Sequence, residues 1–282
     1  MTREKVWVAG ASGRMGKALV NALKKNVEYK VFGTDREVDI TDRQQIHQMA
    51  EMHRPSVIIN CASVSDAAYC EKNEIEAYRV NVLGARNLAM ASRHLNARII
   101  QLSTDDVFDG KKNGAFTEFD TTEPVSVYGK TKVAAENFVR ELNPRHLIVR
   151  SSWVYGIGNG DFLSAVLEKG CKKEKIEARC DYISSPTSAN ELAKFILVLM
   201  EQSEYGIYHA SAEGSCTRYE FAKAILEGMG MDVSLVVPVQ DGTNEPKSTL
   251  LKNMMMKMTD IYRMPMWQDE LAAYLKTLKE AN

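Results

Sequence analysis

The chain has 282 residues, of which 36 are Lys or Arg and 37 are Asp or Glu, so its formal net charge is −1. Hydrophobic residues make up 45% and charged residues 26%, as in an ordinary globular protein. Because no run reaches the ~18 apolar residues of a membrane span and no surplus of basic residues exists, we expect neither a membrane nor a nucleic acid as a partner.

The cysteines do not indicate a disulfide framework. They are five, an odd number, scattered along the chain at Cys61, Cys70, Cys171, Cys180 and Cys216. The first ten residues, MTREKVWVAG, place charges beside a short apolar run and do not resemble a signal peptide. We therefore expect reduced thiols and a cytoplasmic location.

The first half of the chain alternates between strand and helix patterns. Strands are predicted at residues 5–9, 29–33, 57–61, 98–102 and 146–150. Helices are predicted at residues 15–23, 44–53, 74–94 (with a break near Gly84) and 130–141. Continuous apolar strands that alternate with helices are typical of a parallel sheet covered on both faces. The predicted fold class is therefore α/β, with a doubly wound parallel sheet of the Rossmann type.

A glycine-rich loop joins the first predicted strand to the first predicted helix. It reads GASGRMG, with Gly10, Gly13 and Gly16 in a GxxGxxG pattern around Ser12, Arg14 and Met15. Glycines permit a tight turn and a close approach to a pyrophosphate, and the N-terminus of the next helix attracts anions. The place of this loop between strand and helix predicts a dinucleotide site.

An acid, Asp35, follows the second predicted strand, about 20 residues after the loop, where an acid binds the adenosine ribose of a dinucleotide. Asp35 favours NADH, whereas Arg36 or Arg14 could neutralise the 2′-phosphate of NADPH. The sequence leaves both cofactors open.

Beyond about residue 155 the alternation weakens. Helices are predicted at residues 162–169, 189–201, 218–229 and 269–279, and strands at 206–210 and 235–237. The methionine cluster at 254–258 is predicted to fill a core or an interface. We expect a dinucleotide-binding domain at residues 1–155, with a return strand near 206–210, and a smaller α/β substrate-binding lobe at residues 156–282.

Two further patterns lie where a parallel sheet would bring them together. Tyr128 and Lys132 form a YxxxK pair on a predicted helix, where residues four apart share a face and an ammonium group favours a phenolate. Ser103 and Thr104 end the fourth predicted strand, at the sheet edge where ligands bind. Asn81 interrupts a mostly apolar helical stretch and could hold a water molecule or a kinked backbone.

In this order and spacing, the motifs resemble the extended short-chain dehydrogenase/reductase family, and within it the dTDP-4-dehydrorhamnose reductase family. The resemblance covers residues 5–200 well and the C-terminal part loosely. The matching segments are residues 57–60, 79–84, 103–105, 107–110, 128–130, 150–156 and 186–187.

The resemblance implies a mechanism. A nicotinamide, from NADPH or NADH, would deliver hydride to the C4 ketone of a 4-keto-6-deoxy sugar, free or linked to a nucleotide. Tyr128 would donate the proton, and Lys132 would lower the tyrosine pKa and hold the nicotinamide ribose. Thr104, or the neighbouring Ser103, would bond the carbonyl or the tyrosine hydroxyl. Asn81 would support these residues.

Further site residues are implied in the same way, and a homodimer is compatible with the family. The implied cofactor contacts are Asp39 and Ile40, which flank the adenine, and Cys61, Ala62 and Ser63. The implied substrate contacts are Asp106, Val107 and Trp153, the last as a wall of the pocket.

The chain departs from the family pattern on the substrate side. Asp106 stands where the family usually has Tyr, Ser184 begins a segment that usually starts with Gly, and Glu245 precedes Pro246 where Arg is usual. Two added acids and a lost Arg should weaken an anionic nucleotide-sugar site. Met15 and Asn190 occupy the positions of glutamates that bind metal in some relatives, so we predict no metal.

Two other functions are compatible with the same residues. A related enzyme could act on another carbonyl or sugar substrate, as a reductase, an epimerase or a dehydratase, because Asp105 or Asp106 could remove a substrate proton. A non-catalytic regulatory subunit could use the fold and the cofactor to bind a partner, although the complete set of Thr104, Tyr128 and Lys132 argues against it.

Overall fold

The computed structural model describes residues 3–158, 160–240 and 247–281. Its strands are β1 (Glu4–Ala9), β2 (Tyr29–Thr34), β3 (Val57–Asn60), β4 (Arg98–Thr104), β5 (His146–Ser151), β6 (Val154–Tyr155), β7 (Ile176–Arg179), β8 (Tyr182–Ser184), β9 (Thr187–Ser188), β10 (Gly206–His209), β11 (Cys216–Thr217), β12 (Val236–Val239) and β13 (Lys247–Ser248). Its α-helices are α1 (Arg14–Lys25), α2 (Arg43–His53), α3 (Ala67–Lys72), α4 (Glu74–Tyr78), α5 (Gly84–His94), α6 (Val127–Leu142), α7 (Phe162–Lys172), α8 (Ala189–Glu201), α9 (Arg218–Met229), α10 (Met254–Thr259) and α11 (Trp267–Ala281). A π-helical segment spans Arg79–Leu83, and 3₁₀ turns span Asp105–Val107 and Val233–Leu235.

Six parallel strands form the central sheet in the order β10–β5–β4–β3–β1–β2. The first five strands along the chain lie within two residues of their predicted bounds, and β10 is the sixth. Because β1 lies between β2 and β3, the strand order reverses at β1, as in a doubly wound sheet whose ligands bind beyond the carboxyl ends of the strands. The predicted fold class is confirmed.

Two helical layers cover this sheet. Successive strand side chains point to opposite faces, so Val6 packs with Leu19 of α1 and Phe195 of α8, whereas Trp7 packs in a second cluster with Leu88 of α5. Helices α2 and α6 also contribute to that second cluster. The apolar residues on both faces of β1 therefore explain why it is a central strand.

The remaining strands are short and lie in smaller sheets. β8 pairs antiparallel to β11 and parallel to β13, β7 pairs with β12, and β6 pairs with β9. Helices α7, α9 and α11 surround a core that contains Tyr155, Phe221 and Trp267. This second core lies beside the carboxyl-end loops and places side chains from β8, β13 and α9 near them.

The helical stretch 74–94 differs from the prediction. The expected break near Gly84 is wrong: the backbone stays helical there (φ −58°, ψ −50°), and the irregularity is the wider π turn of Arg79–Leu83 just before it. Glycine is needed at position 84 for another reason. A Cβ there would lie 2.3 Å from Cδ1 of Ile40, so the missing side chain makes room for the loop after β2.

The methionine cluster forms the short helix α10, in which Met256 is buried in the sheet core while Met258 is exposed. Among the helices of the described segments, none is long and apolar enough to cross a membrane.

Candidate active site

The glycine loop folds into a tight turn that only glycine can make. Gly10 has a φ of +78°, and a Cβ on it would lie 2.7 Å from the backbone nitrogen of Ala62. A Cβ on Gly16 would lie 2.1 Å from the carbonyl oxygen of Gly10. These two glycines therefore bring β1, α1 and the residues after β3 into close contact.

Gly13 has a different role, because it begins α1 without a side-chain cap. The helices α2 and α6 are capped by Asp42 and Ser126, whose side chains accept backbone N–H groups of the first turn. Gly13 offers no such acceptor. The first N–H groups of α1 thus keep their capacity to bind an anion, and the partial positive charge of the helix N-terminus favours it.

Asp35 closes the turn from the other side. Its carboxylate accepts hydrogen bonds from the Ser12 backbone N–H, at 2.9 and 3.0 Å, and from the Ser12 hydroxyl, at 2.7 Å. Arg36 beside it is exposed. The carboxylate, the uncapped helix and the glycine turn are the groups that could hold the ribose and pyrophosphate of a dinucleotide.

Arg14 extends from the loop toward the second core. Its Nε lies 3.0 Å from Oδ2 of Asp161, the residue that caps α7. Arg14 therefore links the glycine loop to the segment after β6, and this contact competes with a direct role at a 2′-phosphate.

The residues implied to flank the adenine are held by α5. The Asn87 side chain donates to the carbonyl oxygens of Ile40 and Thr41, and Ile40 is buried. Asp39 accepts a hydrogen bond from the Thr41 backbone N–H at 2.8 Å. The segment 39–41 is therefore a fixed turn between β2 and α2.

The residues after β3 line the other side of the glycine turn. The Ala62 N–H donates to the side chain of Asn60 at 3.1 Å, and the Ser63 hydroxyl donates to Asn81. Burial raises the pKa of the Cys61 thiol to about 12, with Lys132 opposing that rise, so this cysteine is protonated and lies near the lysine.

Asn81 lies in the π turn and braces two parts of the site. Its Oδ1 accepts the Val64 N–H at 2.7 Å, and its Nδ2 donates to the Val64 carbonyl and to Oγ1 of Thr131. The Thr131 hydroxyl in turn donates to the backbone carbonyl of Tyr128. The Asn81 amide therefore hydrogen-bonds to protein groups, and it contacts Tyr128 only indirectly, through Thr131.

Thr104 and Ser103 face different neighbours. The Thr104 hydroxyl lies beside the Tyr128 phenol, whose pKa it lowers, and accepts the Asp106 N–H at 3.2 Å. The Ser103 hydroxyl donates to Glu136 at 2.5 Å, and Glu136 also forms a buried ion pair with Arg150. Of the two hydroxyls, that of Thr104 is the one at the tyrosine.

Tyr128 and Lys132 lie on successive turns of α6. Burial, reinforced by the Asp106 and Asp105 carboxylates, raises the pKa of Tyr128, so the phenol carries its proton at neutral pH. Burial lowers the pKa of Lys132 to about 8, and Glu136 and Cys61 oppose that change. A protonated phenol beside a buried amine is suited to donating a proton to a nascent alkoxide.

Asp105 connects the end of β4 with β8 and with the residue after β13. Its side chain is buried and accepts hydrogen bonds from the hydroxyls of Thr104 at 3.3 Å, Ser184 at 3.0 Å and Thr249. Burial and the nearby Asp106 raise its pKa to about 7. Thr249 is 144 residues away in sequence, so no local pattern pointed to it.

Asp106 faces a cationic and aromatic wall. Burial raises its pKa, and the charges of Lys247 and Arg218 oppose that rise. The Arg218 guanidinium lies 3.7 Å from the ring centroid of Trp153. Trp153 has a φ of +44°, a conformation rare for a tryptophan, and its ring packs edge-on against Tyr182. Such strain is retained where surrounding contacts fix it.

Several predicted positions lie elsewhere. The Val107 side chain is fully buried with Phe108, Phe116 and Leu251, so only its backbone could touch a ligand. Met15 packs partly against the sheet core, and Asn190 is exposed. Glu245 and Pro246 lie outside the described residues.

Lys247, Arg218, Tyr182 and Thr249 are site residues that sequence reasoning missed. They come from β13, α9, β8 and the residue after β13, and no motif marks them. A cation stacked on a tryptophan depends on tertiary packing, so the sequence carried no readable sign of it.

A family model described as the RmlD substrate binding domain matches residues 4–280. The chain belongs to the RmlD family. The spore coat polysaccharide biosynthesis protein SpsK of Bacillus subtilis (strain 168) is 32% identical over 282 residues, covering 98% of this chain and 99% of that protein. A dTDP-4-dehydrorhamnose reductase of Aggregatibacter actinomycetemcomitans is 34% identical over 227 residues, covering 78% and 77%.

A solved RmlD-family structure is also similar. It is a dTDP-4-dehydrorhamnose reductase from Bacillus anthracis in complex with NADP, with a TM-score of 0.93, 35% identity, and coverage of 98% of this chain and 99% of that one. The predicted family is confirmed.

Proposed function

We propose that the chain is an NAD(P)H-dependent reductase of the C4 ketone of a nucleotide-linked 4-keto-6-deoxy sugar. The observation that carries the proposal is the position of the buried, protonated Tyr128 phenol, which lies beside Thr104 at the carboxyl edge of the sheet and one helical turn from Lys132. The RmlD-family relatives named dTDP-4-dehydrorhamnose reductase support the substrate class, and the NADP complex supports the cofactor.

When bound, a nicotinamide cofactor would supply the hydride for the carbonyl carbon. Gly10, Gly13, Gly16 and Asp35 would hold it, with the residues after β3 against the turn. Lys132 would bind the hydroxyls of the nicotinamide ribose. Arg36, exposed beside Asp35, allows a 2′-phosphate, so we propose that both NADPH and NADH are accepted.

Proton transfer belongs to the phenol. Tyr128 donates its proton to the carbonyl oxygen as it becomes an alkoxide, and the Thr104 hydroxyl orients both oxygens. Asn81 positions Tyr128 through Thr131. The Ser103 hydroxyl donates to Glu136 and has no direct part in the proton transfer that we propose.

Residues from the second lobe form the substrate side. We propose the division at residue 155, with β10 returned to the first lobe and residues 156–282 otherwise around the substrate. Lys247 and Arg218 supply positive charge for a diphosphate, and Trp153 lines the pocket. Asp106 contacts a sugar hydroxyl. The homodimer and the cytoplasmic location stay predictions.

Turnover with a defined substrate tests the proposal. Purified protein is mixed with NADPH or NADH and dTDP-4-keto-6-deoxy-L-mannose. Oxidation of the cofactor is measured as the loss of absorbance of the reduced nicotinamide. The account predicts turnover with formation of a C4 hydroxyl, seen by mass spectrometry of the product. Cofactor binding without turnover would rule out this compound as the substrate and favour the regulatory function. Exchange of deuterium into C3 or C5 of the sugar in D₂O would favour the epimerase or the dehydratase.

A further inference from the structure

Two histidines and a glutamate meet on the outer surface of the α2–α5 layer. His47 and Glu51 belong to α2, and His94 is the last residue of α5. One ligand atom from each lies within 4.8 Å of the others. His94 Nε2 is 2.8 Å from Glu51 Oε1, and the two imidazole centroids are 5.4 Å apart.

The backbone holds these side chains in place. His47 and Glu51 are four residues apart, so they project from one face of α2. On the face below, Ile46 and Ala50 of α2 pack with Leu88 of α5 in a buried cluster. Because the two helices are fixed against each other, the three side chains need only rotamer changes to converge.

The donor set indicates the class of ion. Two imidazoles and one carboxylate are typical ligands of Zn²⁺, at distances of about 2.0–2.2 Å, whereas Mg²⁺ and Ca²⁺ prefer oxygen ligands throughout. The imidazoles are largely exposed and can rotate inward to close the present separations.

The charged groups around the cluster set limits on affinity. Arg54 pairs with Oε2 of Glu51 at 2.8 Å, which leaves Oε1 for the cluster. Arg43 and Arg93 line the same groove as both histidines, a groove with a volume of about 400 Å³. These cations oppose a positive ion, so binding is weaker here than at a closed four-ligand site.

We propose that His47, Glu51 and His94 bind Zn²⁺ as a three-ligand site that clips α2 to α5, with water from the groove as the fourth ligand. The sequence-based expectation of no metal rests on Met15 and Asn190, and the proposal departs from it at a different place in the fold. The clip joins the helices on either side of the turn 39–41, since α2 follows that turn and Asn87 of α5 holds it.

Calorimetric titration of the tag-free, full-length protein with ZnCl₂ tests the proposal. His47→Gln and His94→Gln keep a similar side-chain size and remove one ligand each. His53→Gln is the matched control, because His53 lies on the same helix, outside the cluster, and stacks on Phe32. Thermal unfolding without metal shows whether each variant is folded.

We expect one equivalent of Zn²⁺ to bind the parent protein and His53→Gln, with a rise in the midpoint of thermal unfolding. Each cluster variant should bind more weakly by about tenfold or more, the scale of loss at perturbed metal sites, and show no such rise. Cobalt(II) should give a visible spectrum without thiolate charge-transfer bands. Equal affinity in folded His47→Gln and His94→Gln, or a thiolate band, would overturn the proposal.

Discussion

At the scale of single residues, Asp105 makes stability depend on pH. Its pKa is about 7 in the fold against 3.8 for an ordinary aspartate, so the folded state binds the proton more tightly between these values. The free energy of unfolding therefore falls as the pH rises from about 4 to 7, by at most about 1.4 kcal/mol per pH unit for one proton. Asp105→Asn should remove this component in urea titrations.

Asp260→Asn is the control for this titration, because Asp260 is exposed. It should keep the slope of the parent protein. An unchanged slope in Asp105→Asn would mean that another buried acid dominates, and Glu270, whose pKa burial raises to about 8, would be the next to replace.

A motif fixes both the type and the position of a residue, and the structure has two such pairs in proximity. Asp35 contacts Ser12 of the glycine loop, and Tyr128 lies beside Thr104, while their roles stay predictions. Ser103 is the neighbouring candidate to Thr104 in the sequence, because alternation alone does not show that its hydroxyl turns toward Glu136. The hydrogen bonds that Asp105 accepts from Ser184 and Thr249 could not be predicted, because both partners are remote in sequence.

At the scale of elements, a charged cap at the start of α1 should change stability and cofactor affinity in opposite directions. Gly13→Asp adds a carboxylate that can cap the helix, which should stabilise the protein without cofactor by about 0.5 kcal/mol. The same charge should repel a pyrophosphate and weaken NADPH binding. Gly13 has φ −67° and ψ 167°, which an L-residue can adopt, and a Cβ there would lie 3.3 Å from the carbonyl oxygen of Gly10, a close contact that both variants share.

Gly13→Ala is the matched control, since it adds the same Cβ without charge or cap. NADPH titrations followed by fluorescence, together with urea unfolding, measure both effects. If Gly13→Asp binds NADPH as well as Gly13→Ala does, the pyrophosphate does not lie at this helix end.

The π turn is the second element-scale case. Asn81→Ala removes four hydrogen bonds and leaves the Val64 backbone N–H without its acceptor, so we expect a loss of about 1–3 kcal/mol in unfolding free energy. We also expect a lower kcat, because Thr131 and Tyr128 lose their brace. Asn21→Ala, on the exposed face of α1, should change neither. A stability loss with unchanged kcat would leave Asn81 with a purely structural role.

Elements were predicted best where periodicity was long. α8 and α9 have the predicted bounds, whereas α3 and the two-residue strands β6, β9, β11 and β13 were missed. Segments this short carry too few residues for a period, and tertiary contacts decide their conformation. A kinked backbone at Asn81 is one of the predicted alternatives, but its π form depends on the partners Val64 and Thr131, which are remote in sequence.

At the scale of the whole molecule, the second half of the chain completes the core of the first. Leu192, Phe195 and Leu199 of α8 and Tyr208 of β10 are buried in the cluster under the sheet. We expect residues 1–155 alone to lack cooperative unfolding, because the part of the sheet face that α8 covers and the edge of β5 would be exposed. A sharp urea transition with native-like near-ultraviolet dichroism would show an autonomous first lobe.

The central claim is that Tyr128 donates the proton in reduction of a keto sugar. The most direct test compares kcat and the dissociation constant for NADPH in Tyr128→Phe and in the exposed control Tyr69→Phe. The account predicts that Tyr128→Phe lowers kcat by about 10²–10⁴-fold and leaves NADPH affinity unchanged, while Tyr69→Phe matches the parent protein. Parent-like turnover by Tyr128→Phe would contradict it.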